Sequence, residues 1–311
     1  MMHVVAGVLV DGAGRILIAQ RPPGKHLAGM WEFPGGKLEA GETPPMALER
    51  ELDEELGIAV DPLSFEALVR IPWTYGERAM LLEAILVRAW TGEAKALDAA
   101  EIRWADPRDI DPALLAPADR PILAATRLPS HYPITPPDVS ADAALALLTS
   151  ALARGERLLQ LRLPGLPTEV VHGVVAQVLP ELRALGATLL LNRDIEGARA
   201  FGEGVGVHLA ASQLHQFDAR PLPLSQVVAA SCHDADELAR ASALGCDFAT
   251  LSPVQVTASH TGAEPLGWPR FARLAEAASL PVYALGGLGP DDGMEARLHA
   301  AQGVAGIRGF L

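Results

Sequence analysis

The sequence predicts an α/β protein of two units in tandem: a layered α+β or α/β/α unit over residues 1–128 and a (β/α)₈ barrel over residues 131–311. Three observations predict it. The chain has 311 residues, 50% of them hydrophobic, which is long for one core and comfortable for two. Its first third sets one acidic, proline-started helical stretch among short apolar runs. Beyond a proline-rich segment, eight short apolar runs alternate with longer amphipathic ones.

Residues 3–10 (HVVAGVLV) and 15–20 (RILIAQ) flank Asp11-Gly12-Ala13-Gly14, a turn of the kind that closes a hairpin, so an antiparallel start is expected. Residues 65–71 and 80–89 are further strand candidates. Thr43-Pro44-Pro45 opens a helix that Gly57 ends. Pro107, Pro112, Pro117, Pro121, Pro129, Pro133, Pro136 and Pro137 crowd the next segment, which shows little period of its own, and the boundary is placed near residue 129. The eight later runs are 131–135, 157–163, 187–192, 205–209, 226–231, 247–252, 281–285 and 304–308. Buried-looking strands with helical segments between most of them fit the barrel, although the segment is short for it; a doubly wound open sheet is the alternative.

A formal net charge of −13 repels the phosphate backbone on which nucleic-acid affinity rests, so polymeric nucleic acid is not an expected partner. A small polyanion remains open to it, because a bound divalent cation reverses the local field. The absence of an apolar run of 18 residues, and an N-terminus without a basic start and cleavage site, point to a cytoplasmic protein with no membrane partner. Cys232 and Cys246, both in apolar sequence, read as packing residues rather than a disulfide or a zinc site. Nothing in the sequence sets the oligomeric state.

The chemistry of the first unit lies on its helix. Glu51, Glu54 and Glu55 fall at i, i+3 and i+4 and share a face, where three like charges repel. A hard divalent cation wants such oxygen ligands. A solvated acidic face is the ordinary alternative, but it gives no reason for the surrounding glycines at their spacing. Gly35-Gly36 before the helix lets the backbone turn and offers a carbonyl.

Gly36, Glu42, Arg50, Glu51, Leu52, Glu54, Glu55, Gly57 and Ile58 satisfy every fixed position of G-x5-E-x7-R-E-U-x-E-E-x-G-U, with U a bulky aliphatic residue. This resembles the box of the Nudix hydrolases. The resemblance implies an α/β/α sandwich with a mixed sheet and a pyrophosphohydrolase dependent on Mg²⁺, with Mn²⁺ as a possible substitute. It implies Gly35 (through its carbonyl), Glu51, Glu54 and Glu55 as metal ligands, Arg50 orienting the acids, and Glu42 in a supporting role. Arg21, His26 and the run Trp31-Glu32-Phe33-Pro34-Gly35-Gly36-Lys37 are similar to the MutT subfamily, which hydrolyses oxidised guanine nucleotides. By that likeness Arg21 and His26 lie near the phosphates and sugar of a nucleoside triphosphate, and Phe33 beside its base. Phe33 reads equally as core, and His26 as an ordinary loop residue. Asp98, with Glu101 close by, matches the later acid that serves as fourth ligand or general base. Asp119, ahead of Arg120-Pro121, stands where relatives read the purine with Asn or Asp, and an ionised carboxylate there only accepts hydrogen bonds. The implied reaction is attack of water at the β phosphorus, releasing a nucleoside monophosphate and pyrophosphate; 8-oxo-dGTP is the expected substrate.

Residues 131–311 resemble thiamine phosphate synthase and its TenI relatives. The likeness rests on Gln160-Leu161-Arg162, Leu190-Leu191-Asn192, Gly206-Val207-His208-Leu209, Ser231-Cys232-His233, Ser252-Pro253-Val254 with Thr257, and Ala284-Leu285-Gly286-Gly287-Leu288. Thr257, Ser259, Gly286 and Gly287 keep the outline of a phosphate site, so a phosphorylated ligand is an expected partner of the barrel. The catalytic parts depart from the pattern. Asn192-Arg193-Asp194 stands for Asn-Asp-Arg, Ala210-Ala211-Ser212-Gln213 lacks the second acidic ligand, Leu163-Pro164 replaces a lysine, Pro253 takes the place of the TenI histidine, and His260 that of a lysine. The barrel thus reads as a degenerate synthase. His208 and His233 fall at strand ends, as functional groups or as satisfied structural histidines. Two further readings stay open: a first unit acting on a thiamine-pathway pyrophosphate, and a barrel that senses thiamine phosphates, or still makes one.

Overall fold

The computed structural model describes residues 2–256 and 264–311, so Thr257 and Ser259, with His260, lie outside the described residues. The chain divides into a unit ending at Arg127 and a unit from Leu128 to Leu311. No helix of the described residues is long and apolar enough to cross a membrane.

In the first unit, strands β1 (Met2–Leu9), β2 (Ile16–Gln20) and β3 (Trp31–Glu32) precede helix α1 (Pro44–Leu56). Then come β4 (Ala59–Val60), β5 (Glu66–Tyr75), β6 (Arg78–Val87), β7 (Trp90–Thr91), β8 (Glu101–Ala105) and α2 (Arg120–Arg127). One sheet has the order β1-β6-β5, with β1 parallel and β5 antiparallel to β6; a second, antiparallel, has the order β3-β2-β8; β4 pairs with β7. Two-residue alternation sets which side each helix covers. Val5, Leu9, Leu17, Ile85 and Val87 pack with Leu48, Leu52 and Leu56 of α1. Ala6, Val8, Ile16, Ile18, Leu82 and Ala84 pack with Ile122 and Leu123 of α2 on the other side. Burying each leucine of α1 contributes on the order of 2 kcal/mol. Gly57 ends α1 in the left-handed conformation, φ 67°, which glycine adopts without a Cβ penalty.

The expected hairpin between residues 3–10 and 15–20 does not form a ladder. The turn itself is made, with Asp11 accepting the N–H groups of Ala13 and Arg15 at 2.9 Å, but the pairing is a lone bridge between Val10 and Ile16. β1 instead lies parallel to β6, and β2 pairs with β3 and β8 in the other sheet. The proline-rich segment also holds more order than its composition predicts. Its prolines open three short 3₁₀ turns, and Pro121 sits in the first turn of α2, where no backbone donor is lost.

The second unit runs β9 (His131–Pro133), α3 (Ala141–Ala153), β10 (Leu158–Leu161), α4 (Thr168–Leu185), β11 (Thr188–Asn192), α5 (Ile195–Phe201), β12 (Val205–Leu209), β13 (Val228–Cys232), α6 (Ala235–Ala243), β14 (Phe248–Leu251), α7 (Gly267–Ala277), β15 (Val282–Leu285), α8 (Gly293–Leu298) and β16 (Gly303–Gly306). The strands are parallel in the order β10 to β16 and then β9. Ile134 bridges Gln160 and closes the circle, so the sheet is a (β/α)₈ barrel rather than an open doubly wound one. Alternate residues face in and out. Leu159, Leu161, Leu189, Leu191, Val207 and Leu209 join the layer under the helices, whereas Tyr132, Leu158, Leu190, Phe248 and Tyr283 fill the interior. Cys232 and Cys246 are buried in the outer layer, and burial pushes both thiols up from their ordinary range.

Candidate functional site

Arg50 gathers the acids of α1. Its Nε and Nη2 hold the two oxygens of Glu42 at 2.8 and 3.0 Å, its Nη1 reaches Glu51 at 2.9 Å and Glu54 at 3.2 Å, and Nη2 also meets the Lys37 carbonyl at 3.1 Å. The bond to Arg50, with the Glu39 N–H, brings Glu42 down to a pKa of about 2. Glu51 is seated against the loop before the helix. A Cβ on Gly36 would lie 2.2 Å from its carboxylate, so a residue without a side chain is required there. Gly35, at φ 143°, has no room for a Cβ beside the Val5 carbonyl, and its N–H donates to Glu55 at 2.9 Å. Loop and helix are thereby fixed to each other at Gly35–Glu55 and Gly36–Glu51.

Glu55 faces a shallow cleft lined in part by Lys25, Glu32 and Asp98. Burial raises its pKa to about 7 against the Gly35 hydrogen bond, and the charges of Glu51, Glu32 and Asp98 add to the rise. Asp98 is exposed and paired with Lys25 at 2.6 Å. Arg21 pairs with Glu32 and donates to the His26 carbonyl at 2.6 Å, while the His26 ring is exposed and meets the Tyr75 ring edge-on at 5.4 Å. Asp119 is buried and accepts the Phe33 N–H at 3.0 Å. Burial raises its carboxyl to about 7, and no second partner meets it among the described residues. The Phe33 side chain itself lies in the core, so what this residue turns toward Asp119 is its backbone.

Glu32, Lys25 and Tyr75 were not singled out by sequence reasoning. Glu32 stands inside the Trp31–Lys37 run and Lys25 between Arg21 and His26, so both had a signal in their neighbours. Tyr75, whose hydroxyl accepts the Ala118 N–H at 3.1 Å, ends β5 outside any motif.

In the barrel, residues that follow β10, β11 and β12 share the end at which the strands finish. The Arg162 N–H donates to Thr135 Oγ1 at 2.8 Å. Arg193 is exposed at φ 68°, with its N–H on the His208 carbonyl at 2.8 Å, its own carbonyl accepting from Gln213 at 3.1 Å, and its guanidinium 3.3 Å from Ser212 Oγ. Asp194 points elsewhere: it caps α5 through the Gly197 N–H at 2.9 Å and binds His172 at 2.6 Å. Leu163 is buried in the outer layer. His208 is buried between Tyr132 Oη and Ser231 Oγ, each at 2.9 Å, and burial lowers its pKa to about 3. His233 is exposed and pairs with Glu237. Gly286 and Gly287 follow β15 at φ 106° and 75°.

The family described as "NUDIX domain" matches residues 5–125, and that described as "Thiamine monophosphate synthase" matches residues 131–310. An 8-oxo-dGTP diphosphatase of Proteus vulgaris is 45% identical over 92 residues, 30% of this chain and 80% of the relative. A putative thiamine-phosphate synthase 2 of Aquifex aeolicus is 32% identical over 184 residues, 59% of this chain and 98% of the relative. The chain belongs to both families, one in each unit. A CTP pyrophosphohydrolase of Escherichia coli is 38% identical to the Nudix unit over 130 residues, 40% of this chain and 90% of the relative. The first unit is a Nudix pyrophosphohydrolase, of a family that works with a divalent metal ion.

The Nudix unit offers donors of the kind such an ion takes, although among the described residues no three acidic, histidine or cysteine side chains are gathered as a metal site. The Gly36 cradle holds Glu51 where any Cβ would displace it, and the charges of Glu51, Glu32 and Asp98 bear on Glu55 in a cleft that Lys25 also lines. Oxygen donors in this setting suit a hard divalent cation. In the barrel, Arg193 and the stretch Ala210–Gln213, which holds no acid, stand where the resemblance implies the synthase's two acidic ligands.

Proposed function

We propose that the Nudix unit hydrolyses a nucleoside triphosphate to the monophosphate and pyrophosphate with Mg²⁺, and that its preferred substrate is 8-oxo-dGTP. The observation that carries this reading is the placement of the acids of α1 against the Gly35-Gly36 loop, with Asp119 buried behind the same Trp31–Gly36 run. Gly35, Glu51, Glu54 and Glu55 would hold the ion, which when bound draws charge from the phosphate oxygens and lowers the pKa of water. Arg50 keeps Glu51 and Glu54 from drifting apart and, through Glu42, fixes the loop to the helix. Arg21, held by Glu32, and His26 stand at the phosphate and sugar side. Asp98 is the candidate for the proton-accepting acid, and its bond to Lys25 has to yield to free it.

The base is read at Asp119. Its Oδ1 is committed to the Phe33 N–H, which leaves Oδ2 for a ligand. With a pKa near 7 the carboxyl is partly protonated at neutral pH, so Oδ2 accepts when ionised and donates when protonated, the second being what an amide NH2 in that place does. The relatives named for 8-oxo-dGTP support the substrate, and the relative named for CTP supports a second reading with a pyrimidine in the same place. The barrel, on this proposal, has lost synthase activity with its acidic ligands and lysine.

Pyrophosphate release from 8-oxo-dGTP, dGTP, CTP and thiamine-pathway pyrophosphates, measured on the full-length protein with Mg²⁺, is the test. The highest kcat/KM is expected on 8-oxo-dGTP. Preference for CTP or for a thiamine-pathway pyrophosphate overturns the substrate while leaving the pyrophosphohydrolase intact. Asp119→Ala flattens the differences among bases by roughly 10-fold or more, the scale of a lost polar contact to a base edge.

A further inference from the structure

The β2–β3 loop and the segment between β7 and β8 both line the cleft at Glu55. The loop is tied to itself: the Gly29 N–H reaches the Arg21 carbonyl at 3.0 Å, and the Ala28 N–H reaches the Lys25 carbonyl at 3.2 Å. The segment is tied to its surroundings, with the Leu97 N–H on the Glu55 carbonyl at 3.0 Å and the Ala100 N–H on the Gln20 carbonyl at 2.9 Å. Lys25 and Asp98 meet between them at 2.6 Å, both side chains about half exposed. Of the described residues that line the cleft, Lys25 alone carries positive charge, against the carboxylates of Glu32, Glu55 and Asp98. The bond to Asp98 holds its ammonium above the usual lysine range, and the charges of Glu55 and Glu32 add to the effect.

A pyrophosphohydrolase has to bring a polyanion into this acidic cleft. An exposed ion pair is held weakly, because water competes for both charges. A phosphate chain offers an ammonium more charge and more acceptor oxygens than one carboxylate does. Lysine carries its head on a long flexible stem, so it changes partner while the loop backbone stays in place. Asp119 and Phe33 do not line the cleft, so Lys25 belongs with the acids of the site rather than with its base-reading residues. Arg21, by contrast, is already engaged by Glu32 and by the His26 carbonyl.

We infer that Lys25 is a substrate-binding residue: when a nucleoside triphosphate enters, its ammonium leaves Asp98 for the oxygens of the two phosphates that depart as pyrophosphate, and Asp98 is thereby freed. This rests on the reading of the cleft as the site of a nucleoside triphosphate.

Calorimetry on the full-length protein with Mg²⁺ tests it, using a dGTP analogue whose α and β phosphorus atoms are joined by a methylene and so resist cleavage, with dGMP as the control. Lys25→Met keeps the length of the side chain and removes its charge. It is expected to weaken the analogue by about 10-fold or more, the scale of a lost charge-assisted contact, and dGMP by less than about 2-fold. Lys25→Arg, which restores the charge, recovers most of the loss. Equal weakening of both ligands, the mark of a structural role, or unchanged binding of the analogue overturns the inference. Failure of the nucleotide reading looks different: the wild type then turns over another pyrophosphate in preference, and the KM for that compound still rises in Lys25→Met. A KM that stays at the wild-type value overturns the inference with either substrate.

Discussion

Asp119 and Phe33, 86 residues apart, are joined by a 3.0 Å hydrogen bond from the Phe33 N–H to a buried carboxyl oxygen. That bond ties the last turn before α2 to the strand that leads into the Gly35-Gly36 loop. It does not satisfy the carboxyl, which burial holds at a pKa of about 7 against an ordinary 3.8.

A pH dependence of stability follows. The folded pKa lies above the unfolded one, so the folded protein binds the extra proton between the two values, and the contribution of Asp119 is fully present below pH 4 and lost as pH rises through 7. Asp119→Asn removes this slope and raises the stability of the first unit at pH 8 by a few kcal/mol relative to wild type, while the two proteins converge toward pH 4. Thermal unfolding at steps from pH 4 to 8 reads both curves. Parallel curves would mean that Asp119 is ionised throughout.

Two substitutions, one on α1 and one in the Gly35-Gly36 loop, separate charge from space. Glu54 is exposed, so Glu54→Gln leaves the melting temperature nearly unchanged, yet hydrolysis falls by about 10²-fold or more, the scale of one charge-stabilising group at a reaction centre. Gly36→Ala keeps every acid and adds one methyl where the Glu51 carboxylate lies. Displacement by about an ångström predicts a loss near 10²-fold in kcat with the acidic set intact. Steady-state kinetics with a melting curve for each variant checks both, and near-normal turnover in Glu54→Gln overturns its assignment as a ligand.

What the sequence discloses follows what repeats within it. The acids of α1 were legible because helical spacing puts them on one face, and the eight barrel strands because each lies in a short apolar run of its own. Strands β3, β4 and β7 have two residues each, too few for a period to appear. Helix α2 was hidden because its proline falls in the first turn, where it does no harm, within a run of prolines that signals loop. The partners of the site residues were less legible than the residues. Asp119 and Asp98 could be named from their order, whereas their bonds to Phe33 and Lys25 join segments 86 and 73 residues distant, which only the fold brings together. The transposed pair Arg193-Asp194 was visible as a departure, but that Asp194 caps a helix and binds His172 required coordinates.

Acid sensitivity of the barrel is expected at His208. It is enclosed by Tyr132 and Ser231, and burial lowers its pKa to about 3, with the charge of Arg162 adding to the effect. The unfolded chain therefore takes up a proton near pH 6.5 that the folded barrel refuses until about pH 3. Stability falls as pH drops across that window, by up to about 1.4 kcal/mol per pH unit. His208→Gln keeps polar atoms in the interior and cannot titrate; it lowers stability at pH 8, where two hydrogen bonds are disturbed, but loses the slope between pH 6 and 4. Chemical denaturation of both proteins at several pH values distinguishes the offset from the slope. An unchanged slope in the variant would place the acid sensitivity of the barrel on another group and would require His208 to carry its proton in the folded state, with Tyr132 and Ser231 both accepting from it.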